Sequence, residues 1–168
     1  TLDRSSAASD VYKRQIYGLP KQTPINFART VEEVIKLQPD RLSVFNYAHL
    51  PERFMPQRRI NSDELPSPAQ KLLMLQTTIE QLTQAGYRYI GMDHFALPDD
   101  ELAIAQEEGR LQRNFQGYTT HGHCDLIGLG VSAISQIGDL YCQNSSDLNT
   151  YQNTLAGAQP VSYTHLTL

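Results

Sequence analysis

The sequence predicts an α/β fold: a parallel sheet, open or barrel-like, whose strands alternate with helices. Three observations carry this expectation. Short apolar runs rich in β-branched and aromatic residues stand at Ile16–Leu19, Arg41–Tyr47 and Tyr87–Met92. Between them lie two stretches with apolar residues at helical spacing, each opened by a hydroxyl residue and a proline. Pro39 and Gly86 then separate each helix from the strand that follows. Such alternation is the signature of strands joined by helical crossovers.

Ile16–Leu19 runs into loop chemistry at Pro20, as at the carboxyl end of a strand. Thr23-Pro24 supplies an N-cap and a proline at the first helical position. Phe27, Val31, Val34 and Ile35 follow at i, i+4, i+7 and i+8, one apolar face. Arg41–Tyr47 is a buried strand. His49–Leu65, with prolines and charges of both signs, is an exposed excursion. Ser67-Pro68 opens the second helix, with Leu72, Leu75, Ile79 and Leu82 as its stripe and Gly86 as its C′ residue. Tyr87–Met92 is a strand running into Asp93-His94-Phe95, and Asp99 or Asp100 caps a short helix ending near Gly109. Leu126–Ile137 is apolar and rich in small residues. Ser145 or Ser146 caps a last helix, with Leu148, Tyr151 and Leu155 on one face, that stops at Gly157.

With 40% apolar and 19% charged residues and a net charge of −4, the chain has no electrostatic footprint for nucleic acid or an anionic membrane. No apolar run approaches the roughly 18 residues of a bilayer span. Its two cysteines, Cys124 and Cys142, make no disulfide framework and fit a reducing cytosol. Residues 1–15 and 161–168 look foreign, resembling translated adapter sequence. They read as disordered tails around a domain at 16–160.

Ligands of parallel α/β proteins bind at the carboxyl ends of the strands. Here those ends are Tyr47-Ala48-His49, Asp93-His94-Phe95 and the loops near Gln116 and Cys124. His121-Gly122-His123-Cys124-Asp125 offers imidazole, thiolate and carboxylate groups, but no second ligand pair stands at zinc-site spacing, so a pocket-lining loop is the better reading. Cys124 as a nucleophile would need a base from His94, His121 or His123. Asp93-His94 is either acid/base equipment or a hydrogen-bonded pair holding a loop. Gly128-Leu129-Gly130 with Ala133 is a weak dinucleotide pattern, with Asp147 only an approximate acidic partner. Arg58, Arg59, Arg110 and Arg113 are solvated cations or partners of an anionic substrate. From these residues alone the reaction stays open.

Longer motifs go further. IYGLPKQ (Ile16–Gln22), DRLSVFNYAHL (Asp40–Leu50), YIGMDHF (Tyr89–Phe95), RNFQGYTT (Arg113–Thr120) and DLIGLGVSAI (Asp125–Ile134) resemble the oxygen-independent coproporphyrinogen III oxidases. The resemblance spans nearly all of Ile16–Ala156. It implies an internal fragment: the C-terminal part of a partial (β/α) radical S-adenosylmethionine (SAM) barrel, with the start of the region that follows.

In that family a 4Fe–4S cluster on a C-x-x-x-C-x-C motif cleaves SAM. The resulting radical drives oxidative decarboxylation of two propionates of coproporphyrinogen III to vinyl groups. The resemblance implies two SAM molecules, with Ala48 at the second and Ile134 at the first. Arg113, Gln116 and Tyr118 fall on the substrate side. The family's acidic SAM ligand falls on Arg14 and is absent as written. The resemblance further implies an external electron donor, a monomeric cytoplasmic parent, and no nucleic acid or membrane partner. The cluster's cysteines are missing, so this chain alone is expected to be inactive. The rival is a haem-binding chaperone of the same superfamily, from which RNFQGY distinguishes this chain.

Overall fold

The computed structural model describes residues 12–115, 117–157 and 162–165. It resolves into two compact units, Thr1–Arg110 and Leu111–Leu168. No helix among the described residues is long and apolar enough to cross a membrane.

In the first unit, β1 (Tyr12–Tyr17), α1 (Pro24–Lys36), β2 (Arg41–Asn46), α2 (Pro68–Gln84), β3 (Arg88–Gly91), β4 (His94–Ala96) and α3 (Glu101–Glu107) follow in order. The sheet order is β1-β2-β4-β3. β1 and β2 pair in parallel, Tyr12 opposite Arg41 through Tyr17 opposite Asn46. β4 is antiparallel to both of its neighbours. Three strands therefore run one way and β4 runs against them, so the sheet is mixed α/β rather than wholly parallel.

The reversal is local. Gly91 (φ 142°) and Met92 (φ 50°) turn the chain sharply, and Tyr89 donates its hydroxyl to the Met92 carbonyl at 2.8 Å. A hairpin forms where the sequence suggested a loop, because glycine permits this backbone without steric cost. Tyr12–Gln15, taken in the sequence as part of a disordered tail, belongs to β1. Its backbone finds a full ladder against β2 despite lacking an alternating pattern.

Both long helices start as expected. Thr23 accepts from the Asn26 amide at 3.2 Å while the Asn26 side chain accepts from the Thr23 amide at 2.9 Å. Ser67 and Gln70 repeat this reciprocal box at 3.3 and 2.9 Å. Pro24 and Pro68 occupy positions whose amides would have no helical partner anyway.

One face of β1 and β2 packs against the helices. Tyr17, Leu42, Val44 and Phe95 meet Phe27, Val31 and Val34 of α1, Met74 and Leu82 of α2, and Tyr87. The α2 stripe is rotated from the expected one. Met74, Thr78 and Leu82 are buried and Leu75 and Ile79 flank them, while Leu72 is 66% exposed. Thr78 is tolerated inside because its hydroxyl donates to the Met74 carbonyl at 2.7 Å. Short α3 is N-capped by Asp100, and Gln106 ties it to β3 by donating to the carbonyls of Tyr89 and Ile90.

The second unit is antiparallel. β5 (Gln112–Asn114) and β6 (Gly117–Thr119) form one hairpin; β7 (Ile134–Ile137), β8 (Leu140–Asn144) and β9 (Ser162–His165) form a three-stranded sheet. β9 pairs with β8 and falls in the stretch the sequence assigned to a foreign tail. The last helix, α4 (Leu148–Ala156), is capped by Asp147 rather than Ser145 or Ser146. The Asp147 carboxylate accepts from the Thr150 amide at 2.8 Å and its hydroxyl at 2.6 Å. Leu126–Ile137 is a loop running into β7 with no helix after it, so the dinucleotide pattern lacks its defining element.

Candidate functional site

The segment leaving β2 carries the first predicted contact. The Tyr47 amide donates to the Tyr17 carbonyl at 2.8 Å, extending the parallel ladder by one bond. Lys71 of α2 donates to the Tyr47 carbonyl at 3.2 Å. Ala48 is exposed. His49 is bracketed at both ring nitrogens, by the Tyr47 hydroxyl at 3.3 Å and the Ser62 hydroxyl at 3.2 Å.

Beside these strand ends lies a cleft of about 390 Å³, lined by Tyr17, Asn46, Pro66, Lys71, Leu72 and Leu75 among others. Burial pushes the Tyr17 phenol above its ordinary value, and the nearby Tyr89 and Asp93 charges add to that.

The opposite face of the sheet is more polar. Alternation places Ser43 and Phe45 of β2 away from Leu42 and Val44. Ser43 is fully buried and shares a 2.5 Å hydrogen bond with the Tyr12 hydroxyl. His94, directly opposite Ser43 across the ladder, stacks edge-on against Phe45 at 6.3 Å. Its Nδ1 lies 2.8 Å from the Asp93 carboxylate. Since the Asp93 carbonyl also accepts the Val44 amide at 2.7 Å, the pair braces the β3–β4 turn against β2.

In the second unit Arg113 and Tyr118 are directly opposite each other in the β5–β6 hairpin. Arg113 is exposed and Tyr118 half-buried, so a guanidinium and a phenol share one face. Gln116 lies outside the described residues.

Ile134 opens β7 opposite Gln143. Gly128 packs directly on it: a Cβ there would come 2.5 Å from the Ile134 carbonyl oxygen. Asn144 completes the arrangement by donating to the Gly130 carbonyl at 2.8 Å. Cys124 is exposed and Cys142 half-buried. The His121 and His123 rings meet edge-on at 6.3 Å, and no group of three or more metal-ligating side chains occurs among the described residues.

No protein-family model matches the chain. Over 144 residues it is 83% identical to the oxygen-independent coproporphyrinogen III oxidase of Pseudomonas aeruginosa, covering 86% of this chain and 31% of that protein. The chain matches a segment of the oxygen-independent coproporphyrinogen III oxidases. The Escherichia coli oxidase is 67% identical over 136 residues, covering 81% of this chain and 30% of the relative. The Thermostichus vulcanus oxidase is 54% identical over 141 residues, covering 84% and 43%. Among solved structures, the Escherichia coli coproporphyrinogen III oxidase, described as a radical SAM enzyme, superposes with a TM-score of 0.91 at 56% identity. That match covers 98% of this chain and 38% of the solved one. The chain thus spans about a third of the length of the first two oxidases, and the family resemblance of the motifs is established.

The donor set does not fit the family's iron–sulfur cluster. Two cysteines, in different segments and neither in C-x-x-x-C-x-C, cannot supply three thiolates. The segment after β2 offers a small organic ligand an exposed, apolar Ala48 with fixed neighbours at the strand ends. Sequence reasoning missed Gln57, whose side chain reaches back to this segment. Nothing in the sequence marks it beyond a polar residue within an irregular, proline-containing stretch.

Proposed function

We propose that this chain forms part of an oxygen-independent coproporphyrinogen III oxidase. The whole enzyme converts two propionates of coproporphyrinogen III to vinyl groups with loss of CO2, giving protoporphyrinogen IX for haem. The observation that carries the proposal is the 83% identity over 144 residues with the Pseudomonas aeruginosa oxidase. The common direction of β1, β2 and β3, with α1 and α2 on one face, supports a partial (β/α) barrel in the whole protein.

Ala48 contacts the second of two SAM molecules and Ile134 the first. Bound SAM supplies the hydrogen-abstracting chemistry, while this chain's residues shape and orient. Ala48 offers a small side chain, so a ligand can approach the backbone beside it. On the substrate side, the Arg113 guanidinium and Tyr118 phenol present donors to a propionate carboxylate, and Gln116 is the third substrate-side candidate. The cluster ligands belong to the part of the oxidase outside this chain's span. The parent takes its electrons from an external donor and is a monomer in the cytoplasm.

The test is an anaerobic assay of the full-length protein carrying this segment, with SAM, a reductant and coproporphyrinogen III. Release of CO2 with formation of protoporphyrinogen IX is expected. Stoichiometric haem capture without decarboxylation would overturn the proposal in favour of a haem-carrying relative.

A further inference from the structure

Beyond Tyr47 the chain leaves the sheet, and Ala48 and Leu50 have no neighbouring strand to satisfy their backbone. One side chain does that work. The Gln57 amide nitrogen donates to the Ala48 carbonyl at 3.1 Å, and its oxygen accepts the Leu50 amide at 2.5 Å. A carboxamide carries a donor and an acceptor in one plane, so it can meet a C=O and an N–H two residues apart as an adjacent strand would.

Gln57 is itself held. It sits in the short 3-10 turn Met55–Arg59, with its amide bonded to the Phe54 carbonyl and its carbonyl accepting from Ile60. Arg58 fastens the turn further by donating to the Pro51 carbonyl at 3.0 Å. From the other side, Lys71 grips the Tyr47 carbonyl and Ser62 the His49 ring.

We infer that Gln57 is a positioning residue for SAM: its amide fixes the Ala48 backbone in the conformation the cofactor meets. This rests on the reading of Ala48 as a SAM contact. The residue touches no reacting atom and acts only through the loop. An ordered loop binds without first losing its freedom, so removing the clamp moves the cost of ordering onto the binding step.

The experiment measures SAM affinity by equilibrium dialysis in the full-length cluster-loaded enzyme, with melting temperature recorded alongside, for Gln57→Ala, Gln57→Glu and Ala48→Phe. Gln57→Glu keeps the acceptor for Leu50 but sets a carboxylate against the Ala48 carbonyl. Both Gln57 variants are expected to bind SAM about tenfold more weakly, as for loss of one or two hydrogen bonds, with melting unchanged. Hydrogen exchange at the Leu50 amide should accelerate in Gln57→Ala and stay slow in Gln57→Glu, which separates the two bonds. If Ala48→Phe weakens SAM binding while both Gln57 variants bind normally, the inference is overturned and the reading of Ala48 stands. Weakened binding that appears only with a lowered melting temperature also overturns it, because the role is then structural. If Ala48→Phe binds SAM normally, the reading fails and takes the inference with it.

Discussion

Arg41 Nε lies 2.5 Å from Asp100 Oδ2, and the other oxygen of that carboxylate accepts the Leu102 amide at 2.8 Å. One side chain therefore caps α3 and anchors it to the start of β2. Asp100 is nearly buried and Arg41 about a quarter exposed, so solvent screens the pair only in part. The neighbouring Glu101 also accepts from Arg41, at 2.6 Å, and the two carboxylates outweigh burial to raise the guanidinium's pKa.

Asp100→Ala is expected to cost about 2 kcal/mol, combining a lost N-cap with a lost charge-assisted hydrogen bond. Asp100→Asn, which can still cap, should cost about half as much. Chemical denaturation of the full-length protein checks both. Equal losses would show that the cap contributes nothing.

Tyr87 donates its hydroxyl to the Pro39 carbonyl at 2.8 Å inside the core. Tyr87→Phe leaves that carbonyl without its partner and should cost about 1–2 kcal/mol. Burial, helped by the Asp40 charge, raises the phenol's pKa in the folded state. Its contribution is therefore fully present below the ordinary tyrosine value and is lost as pH rises through the raised one. Stability of the native protein should fall more steeply on the alkaline side than that of Tyr87→Phe. Parallel alkaline slopes for the two would contradict the assignment.

Gly128 is a position where space against backbone, not backbone angle, dictates the residue. Gly128→Ala would drive a Cβ against the backbone of Ile134, which cannot move as a side-chain tip can. A cost of about 1–3 kcal/mol is expected, localised to the loop and β7. Faster hydrogen exchange at the Leu126 and Gln136 amides, which bond across that loop at 2.7 and 2.8 Å, would report it. Unchanged protection there would contradict the prediction.

The helices were legible because their signals are local. Thr23-Pro24 and Ser67-Pro68 each place cap, proline and box partner within four residues, and both boxes form. The β3–β4 reversal was less so. YIGMDHF reads as a strand with a loop, and only the positive φ at Met92 and a β-bulge between Tyr89 and Gly91 make it a hairpin. Residues 12–15 lack any pattern of their own and owe their strand to the partner β2, which periodicity cannot register. The α2 face was misjudged by one ridge because Thr78 hides its hydroxyl in the helix and so behaves as an apolar residue.

At the site, Ala48, Ile134, Arg113 and Tyr118 were reached through motif resemblance, not through chemistry visible in their side chains. Arg113 and Tyr118 prove to be cross-strand partners, a pairing their spacing around the turn permits but does not require. Gln57 was out of reach because its partners, Ala48 and Leu50, lie nine and seven residues earlier in a segment of no regular structure.

As proposed, this chain supplies walls of the SAM and substrate sites of a coproporphyrinogen III oxidase, and those walls should function inside a relative. A chimaera tests it most directly: residues 16–157 of this chain replacing the matching segment of the Escherichia coli oxidase, to which it is 67% identical. The measurement is CO2 released per coproporphyrinogen III consumed under anaerobic conditions with SAM and reductant. Two CO2 per substrate, at a rate within about tenfold of the unaltered oxidase, is predicted. A chimaera that folds and holds its cluster and SAM yet releases no CO2 would contradict it.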